Sequence, residues 1–186
     1  SYRHINGFGV NTYVWVNEGD QRFFIKYHWL TQQGLQHIEN EEAKRLAGDD
    51  PDIAVRDLHQ AIESRTPIQY ELNVQIMNEE DASKLPFDPL DDTKTWPEDV
   101  FPLLKVGMMT LNANPKNFFA ETEQVAMCPA NLVDGVTFSN DKMLMGRMFS
   151  YADTQRYRLG VNHSQLPINR SISPVNTLTQ DGFMRI

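Results

Sequence analysis

Apolar and polar positions alternate most cleanly over residues 70–76, where Tyr70, Leu72, Val74 and Ile76 interleave with Glu71, Asn73 and Gln75. A period of two belongs to a strand with one buried face. Residues 11–16 alternate in part, with Thr12, Val14 and Val16 opposite Tyr13 and Trp15. Residues 23–29 are rich in aromatic and β-branched side chains, and Asn17-Glu18-Gly19-Asp20 supplies turn chemistry between the two runs. The pair reads as a hairpin. Residues 106–111 read as a further strand.

The period lengthens over residues 36–46, where Ile38, Ala43 and Leu46 make an imperfect helical stripe. A second helix is expected from about Asp50, with Pro51 at its first position and Ala54, Leu58, Ala61 and Ile62 on one face. Residues 85–102 contain four prolines and many aspartates, which predicts a long ordered loop. Pro115 is placed to open a short helical segment through Phe118, Phe119 and Val125. Past Gln165, the residues Pro167, Asn169 and Pro174 point to an extended crossing segment. Fixing backbone costs about 1–2 kcal/mol per residue, so a tail with few apolar anchors needs a larger parent chain or a partner subunit to lie on. Strands, then helices, then strand and helix predict an α+β fold.

Composition narrows the function classes. The excess of 25 acidic over 17 basic residues, net charge −8, argues against nucleic acid as a partner. No apolar run approaches the roughly 18 residues of a transmembrane helix, so no membrane span is expected. The single cysteine, Cys128, excludes an internal disulfide and a multi-cysteine zinc site and fits a reducing compartment. The start Ser1-Tyr2-Arg3-His4 carries no signal-like apolar run and no initiator Met, so a mature product or a piece of a longer chain is expected. Ten Phe, six Tyr, three Trp and eight Met suit either a core or the lining of a flat cofactor.

The most informative segment is 141–158. Ser139, Asn140 and Asp141 are candidate N-caps ahead of an apolar run. Leu144, Arg147, Met148, Tyr151 and Gln155 then recur at helical spacing on one side. That places a guanidinium beside a phenol on an otherwise apolar face. A phenol with an ordinary pKa near 10 is neutral at pH 7, and ionising it requires a depression of about three units, or roughly 4 kcal/mol. Arginine supplies fixed positive charge, and a bound trivalent iron supplies much more. Anionic tyrosine oxygen is a known type of axial haem ligand. The spacing alone favours a Tyr and an Arg packed at a helix edge, the Arg stem covering apolar surface. Arg156 and Arg158 suit the negative end of the helix, or the carboxylates of a bound cofactor.

The run Arg147-Met148-Phe149-Ser150-Tyr151-Ala152-Asp153-Thr154-Gln155 resembles the proximal haem-ligand signature of the monofunctional haem catalases. The resemblance extends over essentially the whole chain. It includes Tyr2-Arg3-His4-Ile5-Asn6-Gly7-Phe8-Gly9, Pro86-Phe87-Asp88-Pro89-Leu90-Asp91 and Thr95-Trp96-Pro97-Glu98-Asp99. Asn117-Phe118-Phe119-Ala120-Glu121-Thr122-Glu123-Gln124 and Leu166-Pro167-Ile168-Asn169 also match.

The resemblance implies a haem b enzyme that converts hydrogen peroxide to water and dioxygen through a ferryl intermediate, working against oxidative stress. Tyr151 would be the proximal iron ligand, Arg147 would hold its oxygen anionic, and Arg158 would pair with a haem propionate. Asp153 and Thr154 would fix the helix end. By the same resemblance, residues 1–112 would form the second half of the family's eight-stranded antiparallel β-barrel, with a helical insertion at 36–64 and the loop at 85–102. Residues 113–186 would carry the proximal haem helix and the start of the wrapping segment. A cytoplasmic homotetramer is implied. The distal His and Asn that handle peroxide protons are expected upstream of Ser1, so no catalytic residue is assigned within the chain. His4, His28, His37, His59 and His163 are not candidates for that role, and His28 reads as structural.

Departures from the family pattern bear on cofactors. Members that hold a reduced nicotinamide use positions matching Asn6, Leu30, Trp96 and Glu98, commonly with lysine at the second and histidine at the fourth. Leucine and glutamate there argue against NADPH binding. Cys128 stands where some members link a histidine to the proximal tyrosine, so that link is not expected, and Cys128 reads as a small buried hydrophobe near the haem side. Met127, Met143, Met145 and Met148 are placed to bring thioethers near the pocket. Two alternatives remain open. One is a catalase-related haem peroxidase or a fatty-acid hydroperoxide-converting enzyme. The other is an inactive or truncated fragment, with open barrel edges and little turnover of its own.

Overall fold

In the computed structural model, which describes residues 1–173, six strands form one antiparallel sheet. They are β1 (Gly7–Phe8), β2 (Tyr13–Val16), β3 (Arg22–Thr31), β4 (Ile68–Asn78), β5 (Leu104–Leu111) and β6 (Val136–Phe138). The order is β5-β4-β3-β2-β6, with β1 paired to β3. Helices α1 (Asn40–Asp49) and α2 (Ile53–Glu63) lie between β3 and β4, and α3 (Lys142–Leu159) follows β6.

The expected hairpin is β2–β3, closed by Asn17, whose Oδ1 accepts from the N–H groups of Gly19 and Gln21 at 3.0 Å each. Register places Val14 opposite Phe24 and Phe24 opposite Met77, so one face carries a continuous apolar row. Trp96 covers that row, with Leu90, Phe87 and Phe101 packed around it. The segment that delivers these side chains, residues 85–103, contains neither helix nor strand. Its carbonyls therefore lack ladder partners, and buried polar side chains in and beside the sheet supply them. Lys26 Nζ donates to Lys94 O at 3.0 Å, Thr12 Oγ1 to Pro89 O at 3.0 Å, and Gln75 Nε2 to Trp96 O and Phe101 O at 3.1 and 2.6 Å. Among the described residues no buried side-chain polar atom lacks a partner.

On α2, the stripe of Leu58, Ala61 and Ile62 packs on Ile68, Tyr70, Trp29 and Leu111. Full burial of one such aliphatic side chain contributes about 1.5–3 kcal/mol. The Tyr70 hydroxyl donates to Tyr2 O at 2.6 Å, tying the chain start to the same cluster.

The first helix starts at Asn40, not residue 36, and buries no residue; Ile38 lies outside it and is exposed. The second starts at Ile53, with Pro51 in the preceding turn. Asp50 sets both boundaries, since its N–H closes α1 on Leu46 O while its carboxylate holds Arg56 at 2.9 and 3.0 Å. Helical structure after Pro115 begins only at Phe118 and is a π-type turn, Phe119–Glu123. Residues 161–170 are not extended: they form a short 3₁₀ segment (His163–Gln165) and turns. Asn169 holds them there, donating to Gln124 O and His163 O and accepting from Ala126 N. Pro174 and the remaining tail lie outside the described residues. Strands β1 and β6 are each too short to show a period in the sequence.

The Arg3 guanidinium grips Asp57 of α2 at 2.6 and 3.0 Å, Ser1 Oγ also donates to it, and together they hold its carboxyl down at about 2. A depressed folded pKa stabilises above the ordinary aspartate range and loses that contribution as pH falls towards 2. A two-unit shift corresponds to about 2.6 kcal/mol at most, and partial exposure of both partners reduces it to about 1 kcal/mol. Asp57→Asn is therefore expected to cost about 1 kcal/mol in urea unfolding at pH 7 and progressively less towards pH 3. A gap that stays constant with pH would assign the loss to packing instead.

Candidate functional site

Helix α3 starts where the sequence places it because Asp141 satisfies its first turn: Oδ1 accepts from Leu144 N at 2.9 Å. The residues of predicted shared face then turn inward. Leu144 and Gln155 are buried and Arg147, Met148 and Tyr151 half-buried, while Met143, Met145, Phe149 and Tyr157 are exposed.

Arg147 Nη2 donates to Tyr151 Oη at 3.2 Å, and the guanidinium carbon sits 5.1 Å from the phenol ring centre. The other arm, Nη1, donates to Asn11 Oδ1. Asn11 is almost fully buried, and its Nδ2 donates to Asp141 Oδ2 at 3.1 Å and to Asp92 at 3.1 and 3.3 Å. The Thr12 N–H completes Asp141 at 3.1 Å, and Ser139 Oγ donates to Thr12 O. A chain of contacts thus runs from the phenol through guanidinium and amide to two carboxylates. It joins α3, the turn before β2 and the 85–103 segment.

The two acids sit in different environments. Burial pushes the Asp92 carboxyl up, the hydrogen bond and charge of Asp141 add to this, and it reaches about 6 against the pull of Lys26 and Asn11. Burial also acts upward on Asp141, but donation from Leu144 N, Asn11 and Thr12 N carries it below the ordinary range. Tyr13, whose hydroxyl donates to Pro129 O at 3.2 Å, is raised by burial against the opposing charge of Arg147.

Arg158 is placed at the far end of α3 and is tied to backbone. It donates to Glu123 O and Val125 O at 2.5 Å each, and from Nε and Nη2 to Gln155 Oε1 at 3.1 and 2.7 Å. Gln155 Nε2 in turn reaches Met127 O at 3.3 Å. Asp153 and Thr154, expected to fix the helix end, are exposed positions within α3, before its last turn. The end is set by Arg158 and Gln155, and by Gly160, whose φ of 113° lets its N–H close on Arg156 O.

The histidines stand apart from this network. His4 bonds Gly34 O at 2.9 Å, His28 bonds Gln75 Oε1 at 3.0 Å and His163 bonds Gly160 O at 3.2 Å. Cys128 is half-buried rather than buried. Met127, Met143 and Met145 are exposed. Asn6, Leu30, Trp96 and Glu98 do share one cleft of about 320 Å³, with Lys26, His28 and Lys94. In it the Asn6 amide oxygen is taken by Thr31 N at 2.9 Å and the Trp96 indole by Pro89 O at 3.3 Å.

Among the described residues, no three or more His, Cys, Asp or Glu side chains are grouped to hold a metal ion. The site residues missed in the sequence are Asn11 and Asp92, with Asp141 seen only as a cap. A buried Asn before a strand carries no local period, and its partners lie 81 and 130 positions away.

The family model for catalase matches residues 1–186. A catalase of Aliivibrio fischeri is 47% identical over 186 residues, covering 100% of this chain and 39% of the relative. A catalase of Methanosarcina barkeri is 47% identical over 187 residues, covering 100% of this chain and 37% of the relative. Among solved structures, a bacterial catalase superposes with a TM-score of 0.96 at 44% identity, covering 100% of this chain and 36% of that chain. Catalase A from Saccharomyces cerevisiae gives 0.89 at 42% identity, covering 91% and 35% respectively. The chain therefore spans under two fifths of the length of the curated relatives it matches.

Proposed function

The chain belongs to the catalase family, and from that premise we propose that it supplies the proximal haem wall of an enzyme that decomposes hydrogen peroxide to water and dioxygen. Its sheet would be part of the family's eight-stranded barrel. The observation that carries the reading is the Tyr151 oxygen accepting from Arg147 at 3.2 Å, with that guanidinium anchored on Asn11.

The residues fit haem. Tyr151 Oη accepts from Arg147 and makes no other hydrogen bond among the described residues, so the oxygen retains a lone pair for ferric iron. Haem b, when bound, supplies the two-electron redox chemistry that takes oxidising equivalents from one peroxide and returns them to a second. Arg147 holds its guanidinium against the phenol oxygen, with Nη2 donating to it. Its own position is fixed because Asn11 occupies the other arm. Arg158 commits four N–H donors to Gln155, Glu123 and Val125, which leaves one of its five for a propionate carboxylate.

The outer side of α3 exposes Phe149 and Tyr157 at 81% and 86%, surface that suits coverage by a neighbouring subunit in a homotetramer. The haem-loaded full-length protein is expected to release dioxygen from hydrogen peroxide. Consumption of a fatty-acid hydroperoxide with no dioxygen from peroxide would instead assign it to the hydroperoxide-converting relatives.

A further inference from the structure

The Asn11 amide is saturated. Carboxylates can only accept and a guanidinium can only donate, so the contacts themselves fix the amide with Oδ1 toward Arg147 and Nδ2 toward the acids. The two Nδ2 hydrogens go to two different carboxyl groups. Asp92, at 3.1 and 3.3 Å, and Asp141, at 3.1 Å, therefore stand side by side on one amide nitrogen at the margin of the core. Two carboxylates this close repel strongly when both are ionised, and one proton held between them relieves that repulsion. We propose that Asp92 and Asp141 share one proton behind Asn11, and that this proton sets how firmly Arg147 donates to the Tyr151 oxygen.

The surroundings favour this arrangement. From β3, Lys26 faces the pair, but its ammonium donates to Lys94 O, not to either acid. From the 85–103 segment, Asp91 is a further negative charge near Lys26, and Lys94 lies beside Asp91. From α3, Arg147 faces Asn11 and the Leu144 N–H fixes the Asp141 oxygen that is not bonded to Asn11. Tyr13 of β2 lies within the fields of both Arg147 and Asp141. Asp141 is the acid with three fixed donors, so Asp92 carries the proton, in keeping with its carboxyl standing at about 6.

Loss of the proton as pH rises through that value puts a second negative charge behind the amide. Asn11 Oδ1 then becomes a stronger acceptor, Arg147 is drawn toward it, and donation to Tyr151 weakens. Asp92 and Asp141 are positioning residues in this account, since neither touches the phenol. The second effect rests on Tyr151 being the haem ligand; the shared proton does not.

Infrared difference spectra of the haem-free full-length protein between pH 5 and 8 test the first part. The expected result is one carboxylic-acid carbonyl band that disappears with a midpoint near 6 and is missing in Asp92→Asn. Lys26→Met, which removes the facing cation, is expected to move the midpoint upward. Absence of any such band, or its survival in Asp92→Asn, overturns the shared proton. In the ferric haem-loaded protein, the phenolate-to-iron absorption is expected to shift with the same midpoint, and to be independent of pH in Asp92→Asn. A band that titrates while that absorption stays fixed overturns the link to Arg147. A protein with no phenolate absorption at all defeats the ligand reading, and leaves the infrared result to decide the proton.

Discussion

Tyr151→Phe is expected to abolish the phenolate-to-iron absorption of the haem-loaded full-length protein, and with it nearly all dioxygen release. Loss of a partner that merely orients a ligand typically costs about 10–100-fold in affinity or activity, so loss of the ligating oxygen should exceed about 100-fold. The substitution removes one atom and leaves the ring. Its former donor, Arg147, is half-buried and stays anchored on Asn11, so stability should change by no more than about 1 kcal/mol. That combination, near-total loss of spectrum with an intact fold, distinguishes a ligand from a packing residue. Haem titration followed by absorption, with urea unfolding of the same preparations, checks both halves.

Asp141→Ala carries the largest expected loss of stability. The carboxylate is fully buried and accepts from three donors: Leu144 N at the helix start, Thr12 N and Asn11 Nδ2. Removing a helix cap costs about 1 kcal/mol, and each buried donor left without an acceptor costs about 1–3 kcal/mol. A total of about 3–5 kcal/mol is expected at pH 7, measured by urea unfolding. Asp141→Asn keeps a cap oxygen and should lose less than half of that. The Asp141 carboxyl is held below its ordinary range, so its contribution is present above about pH 4 and is lost as pH falls. The two variants should therefore approach the parent in acid. A difference that persisted unchanged at low pH would show that the ionised carboxylate is not the stabilising form.

The parts of this fold legible in the sequence are those whose physics is local. β4 shows alternation, but the expected single buried face is corrected: Asn73 and Gln75 of its polar face are buried while Leu72 and Ile76 are half-buried. α2 shows a stripe because Leu58, Ala61 and Ile62 pack on the sheet. β3 is harder, since Phe24, Ile25 and Lys26 are all buried and no period survives. β1 and β6 exist only through pairing with β3 and β2, which no short run of residues can announce. Pro51 falls in a turn ahead of α2, where Ile53 N donates to Asp50 O, and no local period in the sequence distinguishes that turn from a first helical position.

The site follows the same division. Arg147 and Tyr151 are one helical turn apart, so their contact is written in the spacing. Asn11, Asp92 and Asp141 meet only after the sheet and the 85–103 segment are in place. Arg158 was visible as a helix-end cation, yet its grip on Glu123 O and Val125 O depends on where the π-type turn lands.

Resonance Raman spectroscopy of the ferric full-length protein, excited in the phenolate-to-iron band, tests the central claim most directly. With ring-deuterated tyrosine incorporated, only a tyrosine bonded to iron is enhanced, whatever the number of tyrosines labelled. The account predicts isotope-shifted tyrosine ring modes that are present in the parent protein and missing in Tyr151→Phe. Enhanced modes that ignore the label, or that persist in Tyr151→Phe, would contradict it.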